Sequence, residues 1–347
     1  MYKAVEVQNL SLGVKTGSRY TEIAENISFT LYKRERLGIV GESGSGKTQT
    51  VLSLLGLTHP NIKPLSGRIL FEDNLVWDAA FAGKRSERKK LAALRGNDIG
   101  IIFQDARASL LPHLTIEEQA RETWLTLRPE IGLIGFESQT TFILQKLGFS
   151  DPKAILAKYP VQLSGGQAQR AYIMLALLGQ PTVLIADEPT SSLDPYTSRQ
   201  IIELIQKFYK EQYLSLIIIS HDLAEIMTIT DRIIVMYAGR IVEEIPTKVL
   251  KEGGEPYHPY ARFLFSMATG ELFGRLREAA ADSPVFREDY LNGHKKAESG
   301  CPYASRCALK KTLPEDLQRK CTTNMPPLTD RGNQRKAACW GVGDEKA

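Results

Sequence analysis

The stretch "RLGIVGESGSGKTQTVLSLLGL" constrains this chain more than any other. A short apolar run from Leu37 to Val40 leads through a glycine-rich loop into an apolar-periodic segment beginning near Lys47. A strand, a turn and a helix are therefore expected in that order. The pattern G-x-x-x-x-G-K-[ST] is met by Gly41, Gly46, Lys47 and Thr48, with Glu42, Ser43, Gly44 and Ser45 filling the loop. Glycines let successive backbone N–H groups turn inward around phosphate oxygens, which makes this a P-loop in its proper strand-to-helix context. Lys47 is expected to bridge the β- and γ-phosphates of ATP. The Thr48 hydroxyl is expected to ligate Mg²⁺, with Gln49 beside it. A phosphate cradle alone does not distinguish kinases, GTPases and transport ATPases.

A second segment narrows the choice. "PTVLIADEPTSSLDP" begins with a β-rich run that ends in two adjacent carboxylates, Asp187 and Glu188. This reads as a buried parallel strand delivering acids at its carboxyl end, where α/β sheets place their ligands. Asp187 suits the water shell of Mg²⁺, and Glu188 suits a general base for the attacking water. A bland strand end with solvated acids loses ground once the P-loop lies upstream.

Between these segments lies "LSGGQ", Leu163 to Gln167, opening a helix expected from about Gln167 to Leu178. Here the chain resembles the ATP-binding-cassette (ABC) ATPases, whose signature motif this is. "FQD" with Gln104, "SSLD" ending at Asp194 and "IIISHD" with His221 extend the resemblance over residues 1 to about 250. The resemblance implies that two cassettes meet head to tail. Ser164, Gly165, Gly166 and Gln167 would then face ATP held mainly by the partner cassette, as a helix N-terminus suits an anion. It further implies that His221 contacts the γ-phosphate and the attacking water, that Gln104 links Mg²⁺ to the coupling surface, and that Tyr20, near the place of the family's aromatic residue, stacks on adenine. Read without the family, Tyr20 is equally a strand residue.

Coarse periodicity places strands in residues 1–40 and 66–77 and near 99–103, 182–187, 215–220 and 232–237, alternating with helices. The fold class is thus an α/β P-loop core with a mixed sheet. Residues 105–165 turn helical, matching the subdomain that ABC ATPases insert before the signature. The expected domains are a cassette over residues 1–252 and an extension over residues 253–347. "YHPYARFLF", Tyr257 to Phe265, resembles a stretch of the dipeptide, oligopeptide and nickel importer subfamily. Partners implied by that resemblance are two integral-membrane permeases, a second ATPase subunit and, indirectly, an extracytoplasmic solute-binding protein.

Composition excludes other classes. The longest apolar runs fall well short of the roughly 18 residues of a membrane span. The start "MYKAVEVQNL" lacks the charged block and apolar core of a signal peptide. A cytoplasmic chain is expected, and the importer resemblance implies a peripheral place on the cytoplasmic face of a bacterial membrane. The net charge of +4 gives no ground for a nucleic-acid partner, and the basic run from Gly83 to Gly96 reads as a solvated helix face. A soluble ABC ATPase of translation or DNA repair is the main rival. Such proteins usually carry two cassettes or a coiled-coil insertion, and this chain shows one cassette and no sustained heptads. An exporter ATPase would leave "YHPY" unexplained.

The four cysteines, Cys301, Cys307, Cys321 and Cys339, all lie beyond residue 300. No C-x-x-C pair is present, which disfavours a zinc ribbon. Four thiolates can still converge on zinc or an iron–sulfur cluster, and four unlinked buried thiols are the alternative. The arrangement resembles the four-cysteine tail of the peptide importer subfamily, some of whose members hold a [4Fe–4S] cluster there.

Overall fold

The computed structural model describes residues 1–17, 19–81, 85–267 and 299–342. Of the expected extension over 253–347, residues 268–298 and 343–347 lie outside the described residues, as do 82–84 of the basic run.

Short, mostly apolar strands dictate the centre of the fold. β7 (Val183–Asp187) and β8 (Ser215–Ile219) are buried along their whole length, which is the mark of parallel strands covered on both faces. They join β6 (Ile99–Ile102), β3 (Arg36–Val40), β9 (Arg232–Tyr237) and β10 (Arg240–Pro246) in an eight-stranded sheet. Its order is β11 (Thr329–Asp330), β12 (Lys336–Ala337), β10, β9, β3, β8, β7 and β6. Strands β9, β3, β8, β7 and β6 run parallel, and β10 is antiparallel to β9.

Alternate residues of each central strand serve different layers. Ile185, Ile217 and Ile219 face one core with β1 (Lys3–Thr16) and β2 (Arg19–Tyr32), which pair with β4 (Ile62–Phe71) and β5 (Asn74–Asp78) in an antiparallel sheet. Leu184, Ala186 and Ile218 face a second core beneath helices. That layer includes the inserted helical segment, in which α4 (Ile116–Leu127) opens on a Thr115–Glu118 capping box. Trp124 of α4 meets Phe136 of α5 (Phe136–Lys146) edge to face at 6.2 Å.

The extension is not appended to the sheet but completes it. β11 (Thr329–Asp330) and β12 (Lys336–Ala337) lie beside β10, with Glu243 opposite Ala337. Glu243 is fully buried. It accepts the N–H groups of Tyr257 and His258 at 2.8 Å each and faces Arg335 at 3.4 Å. One carboxylate thus joins the sheet, the segment before the helix Pro259–Ser266, and the C-terminal hairpin. His258 caps that helix, its Nδ1 accepting the Tyr260 N–H, and burial pushes its imidazole down to about 3. The ring is therefore neutral and able to accept.

Burial raises the Glu243 carboxyl to about 7, opposed by the two amides and Arg335. A raised acid favours the fold when protonated and loses that contribution as pH rises from its ordinary value of 4.5 through about 7. Glu243→Ala should cost about 3–5 kcal/mol, because it leaves two buried amides without an acceptor and Arg335 without its carboxylate. Glu243→Gln should cost less, and its deficit relative to wild type should shrink from pH 5 to pH 8. Chemical denaturation of the three proteins across that range checks both statements.

Candidate functional site

Strand register gathers the site. Ile39 of β3 lies beside Ile219 of β8, and Ile219 lies beside Asp187 of β7. The loops that follow these strands therefore leave one edge of the sheet together, where open α/β sheets hold ligands.

The loop after β3 runs from Gly41 to Gly46, and helix α1 (Lys47–Ser53) starts at its end. Gly41 has φ +150°, and a Cβ there would lie 2.1 Å from the Met236 carbonyl, so no other residue fits between β3 and β9. Lys47 is buried, and its Nζ donates to the carbonyls of Gly41 at 2.8 Å and Glu42 at 2.9 Å. An ammonium has three donors, so one remains for a phosphate oxygen. Burial lowers the Lys47 pKa, while Glu188, Asp187 and Glu42 support its charge. Ser45 Oγ is buried with no hydrogen-bond partner among the described residues, an orphan that a phosphate oxygen would satisfy. Ser43 and Gly44 are exposed at the loop tip, and Gln49 accepts the His59 N–H at 3.4 Å.

Thr48 Oγ1 donates to Asp187 Oδ1 at 3.1 Å. Burial raises the Asp187 carboxyl, with Glu188 adding to the rise and Thr48 and Lys47 opposing it. Hard oxygen donors beside a phosphate cradle, one of them a buried carboxyl, fit Mg²⁺.

Glu188 has φ +46°, a left-handed backbone uncommon for a residue with a side chain. Its N–H donates to Ile219 O at 2.9 Å, so the turn out of β7 is fastened to the end of β8. The carboxylate then points between two other strand ends. Gln104 Nε2 donates to Glu188 Oε2 at 3.3 Å, and His221 Nδ1 lies 3.3 Å from the same oxygen. Gln104, Glu188 and His221, far apart in sequence, converge on one atom.

The signature turn is organised separately. Ser164 Oγ accepts the Gln167 N–H, and Gln167 Oε1 accepts the Ser164 N–H, a closed capping box. Helix α7 (Gly165–Leu177) accordingly begins at Gly165, two residues before the expected start, because the box draws both glycines into the first turn. A Cβ on Gly166 would lie 2.7 Å from Thr197 Cγ2. Asp194 caps the adjoining helix α8 (Pro195–Gln212), accepting the N–H groups of Tyr196 and Thr197. Tyr20 is exposed on β2, with Lys63 Nζ 6.0 Å from its ring.

Sequence reasoning missed two residues that touch the loop from the extension. Tyr260 OH accepts the Glu42 N–H at 2.9 Å, and Arg306 Nη1 lies 3.4 Å from Glu42 Oε1. They stand 218 and 264 residues from Glu42, so no local spacing signals them.

The cysteines form no disulfide. Cys301, Cys321 and Cys339 are buried and Cys307 is half-buried. Cys301 N–H donates to Cys321 O at 2.8 Å. Burial pushes the Cys301 thiol up to about 12 and the Cys339 thiol up to about 11, and raises Cys307 and Cys321 as well. Among the described residues, no three or more His, Cys, Asp or Glu side chains come together as a metal-holding group. The expected closed four-thiolate site is therefore not met in this arrangement, in which neutral sulfurs pack among apolar side chains. Four soft sulfurs in one small fold nonetheless match the donor chemistry of zinc or iron–sulfur centres.

A family model described as "ABC transporter" matches residues 24–191. The dipeptide transport ATP-binding protein DppD of Bacillus subtilis (strain 168) is 34% identical, the match covering 100% of this chain and 97% of DppD. The oligopeptide transport ATP-binding protein AppD of the same organism is 33% identical, with 100% and 99% covered. Among solved structures, the dimeric post-hydrolysis state of the ATP-binding cassette MJ0796 bound to ADP and Pi superposes with a TM-score of 0.59 at 26% identity. That match covers 70% of this chain and 98% of that one. CbiO1 of Clostridium perfringens, part of the ABC transporter complex cbiONQ, gives a TM-score of 0.59 at 27% identity, covering 72% and 90%. With relatives matched along its whole length, the cradle of Lys47 and the carboxylates after β7 have their family: the chain belongs to the ATP-binding cassette ATPases of ABC transporters.

Proposed function

We propose that this chain is the ATP-hydrolysing subunit of a binding-protein-dependent importer, with di- or oligopeptides as the transported solute. The convergence of Gln104 and His221 on the Glu188 carboxylate, beside the Lys47 cradle, carries the ATPase part of this reading. Relatives named for dipeptide and oligopeptide transport, matched end to end, support the solute class.

Residues 41–49 hold the phosphates of ATP, Lys47 by its remaining N–H. Thr48 and Asp187, with Gln104, would hold Mg²⁺, which would supply charge neutralisation at the phosphates when bound. Glu188 takes the proton of the attacking water, and His221 orients that water and the γ-phosphate. Tyr20 serves the adenine. Ser164, Gly165, Gly166, Gln167 and Asp194 act across a head-to-tail dimer on nucleotide held by a second, related ATPase subunit. The N–H groups of Gly165 and Gly166, which the capping box at the start of α7 does not engage, suit that task.

Residues 1–252 form the cassette and 253–347 the importer-type extension. Among the described residues no helix is long and apolar enough to cross a membrane. A peripheral place on the cytoplasmic face of two permease subunits, fed by an extracytoplasmic binding protein, accounts for that.

Native purification should recover two hydrophobic permeases and a second cassette. Recovery of ribosomes or nucleic acid in their place would overturn the importer in favour of a soluble ABC ATPase. In the assembled transporter, Glu188→Gln should retain ATP binding and lose about 10²–10⁴ in turnover, because the amide keeps the shape and loses the base. Wild-type turnover would remove Glu188 from its role.

The tail cysteines are proposed to bind a [4Fe–4S] cluster, with zinc as the alternative. Support comes from the donor chemistry of four soft sulfurs within one small part of the chain. Anaerobic purification should give a brown protein with about four iron atoms per chain. Stoichiometric zinc would replace the cluster, and neither metal would discard the site.

A further inference from the structure

The extension reaches the phosphate loop at Glu42, through its backbone amide and its carboxylate. Tyr260 is wholly buried on the helix Pro259–Ser266, yet its hydroxyl accepts the Glu42 N–H at 2.9 Å. The Glu42 N–H and the Gly41 C=O belong to one trans peptide plane and point in opposite directions. Fixing the amide therefore aims the carbonyl, and the Gly41 carbonyl is the 2.8 Å acceptor of Lys47 Nζ. The second acceptor of Lys47 is the Glu42 carbonyl at 2.9 Å, on the same residue.

Arg306, which immediately precedes Cys307, secures this arrangement from the other side. Its Nη1 lies 3.4 Å from Glu42 Oε1 and donates to Tyr237 OH at 3.2 Å. The Tyr237 ring lies against Tyr260 at 4.4 Å, and Tyr303 meets both rings edge-on. The guanidinium and the tyrosines hold the Tyr260 hydroxyl at the loop. Simple packing would require only the ring of Tyr260, which a phenylalanine supplies equally well. The hydroxyl aimed at a phosphate-loop amide is what packing leaves unexplained.

We propose that Tyr260 and Arg306 are positioning residues of the nucleotide site: they fix the Gly41–Glu42 peptide, through it the Lys47 ammonium, and so set ATP affinity and not the rate of the chemical step. This rests on the reading of Lys47 as the phosphate-binding lysine.

The test uses the full chain for ATP binding and the assembled transporter for kinetics, with thermal melting as a folding control. Tyr260→Phe keeps the ring and removes the acceptor. It should melt within a few degrees of wild type, raise Kd and KM for ATP by about 3- to 10-fold, as expected for one lost hydrogen bond, and leave kcat within about twofold. Arg306→Ala should raise KM similarly, and Arg306→Lys should recover part of the loss. If Arg306 acts through Glu42, the effects of Arg306→Ala and Glu42→Gln on KM should combine to less than their product. Unchanged affinity in a well-folded Tyr260→Phe protein overturns the proposal, as does a fall in kcat at constant KM. Lys47→Ala separates the two layers of the argument. If it abolishes ATP binding while Tyr260→Phe changes nothing, only the positioning role fails; if it leaves binding intact, the reading of the loop fails with it.

Discussion

A cation buried beside a sheet has to be held by something, and the way Lys47 is held sets the form of this site. Its ammonium is hooked by two carbonyls of its own loop, which keeps the charge solvated by dipoles and spares one donor for a ligand. The hook closes only if the chain leaves β3 at an angle that brings Gly41 against the Met236 carbonyl. It therefore requires β9 beside β3 in the observed parallel register. The phosphate cradle is in this sense a property of the sheet as much as of the loop sequence.

How far the sequence revealed this arrangement depends on the range of the interaction. Residues 37–48 declared strand, loop and helix because all three are contiguous and each has a local signature. Asp187 and Glu188 were legible for the same reason, at the end of a continuous apolar run. The left-handed backbone of Glu188 was not, since nothing in "ADEPT" demands it; it follows from the bond between its N–H and Ile219 O on a neighbouring strand. β10 was absent from the sequence-based strands because "RIVEEIP" carries two acids where a strand interior is expected to be apolar. Both acids are buried and matched by cations from elsewhere, Glu243 by Arg335 and Glu244 by Arg232 at 2.7 Å. The hairpin β11–β12 was invisible for want of length, at two residues per strand.

Those buried ion pairs also explain how the extension finds its place. Arg232 bridges Glu35, before β3, and Glu244 on β10, with both carboxylates largely sequestered from solvent. Pairs of this kind add little net stability over apolar packing, and breaking one is costly, so they select among alternative registers. A one-residue slip of β12 along β10 would separate Arg335 from Glu243 and turn Ala337, now fully buried, toward the opposite face. The same register keeps Tyr257 and His258 on Glu243, and His258 caps the helix that carries Tyr260. Placement of the extension and placement of its one hydroxyl at the loop are thus a single event.

The carboxylate of Glu188 depends on the sheet in a comparable way. A non-glycine residue in the left-handed region stores about 1–3 kcal/mol of strain, and here the strain is held by one strand-to-strand hydrogen bond. Relaxing it would swing the side chain away from Gln104 and His221, which follow β6 and β8 and do not move with the turn after β7. Since Glu188 contacts the ends of strands on both sides of β7, any motion that shears β6 or β8 against β7 alters its surroundings before it alters the phosphate cradle on β3. The chemistry of this cassette is therefore more sensitive to shear at β7 than its grip on nucleotide, which depends instead on the β3–β9 register and is steadied from the extension.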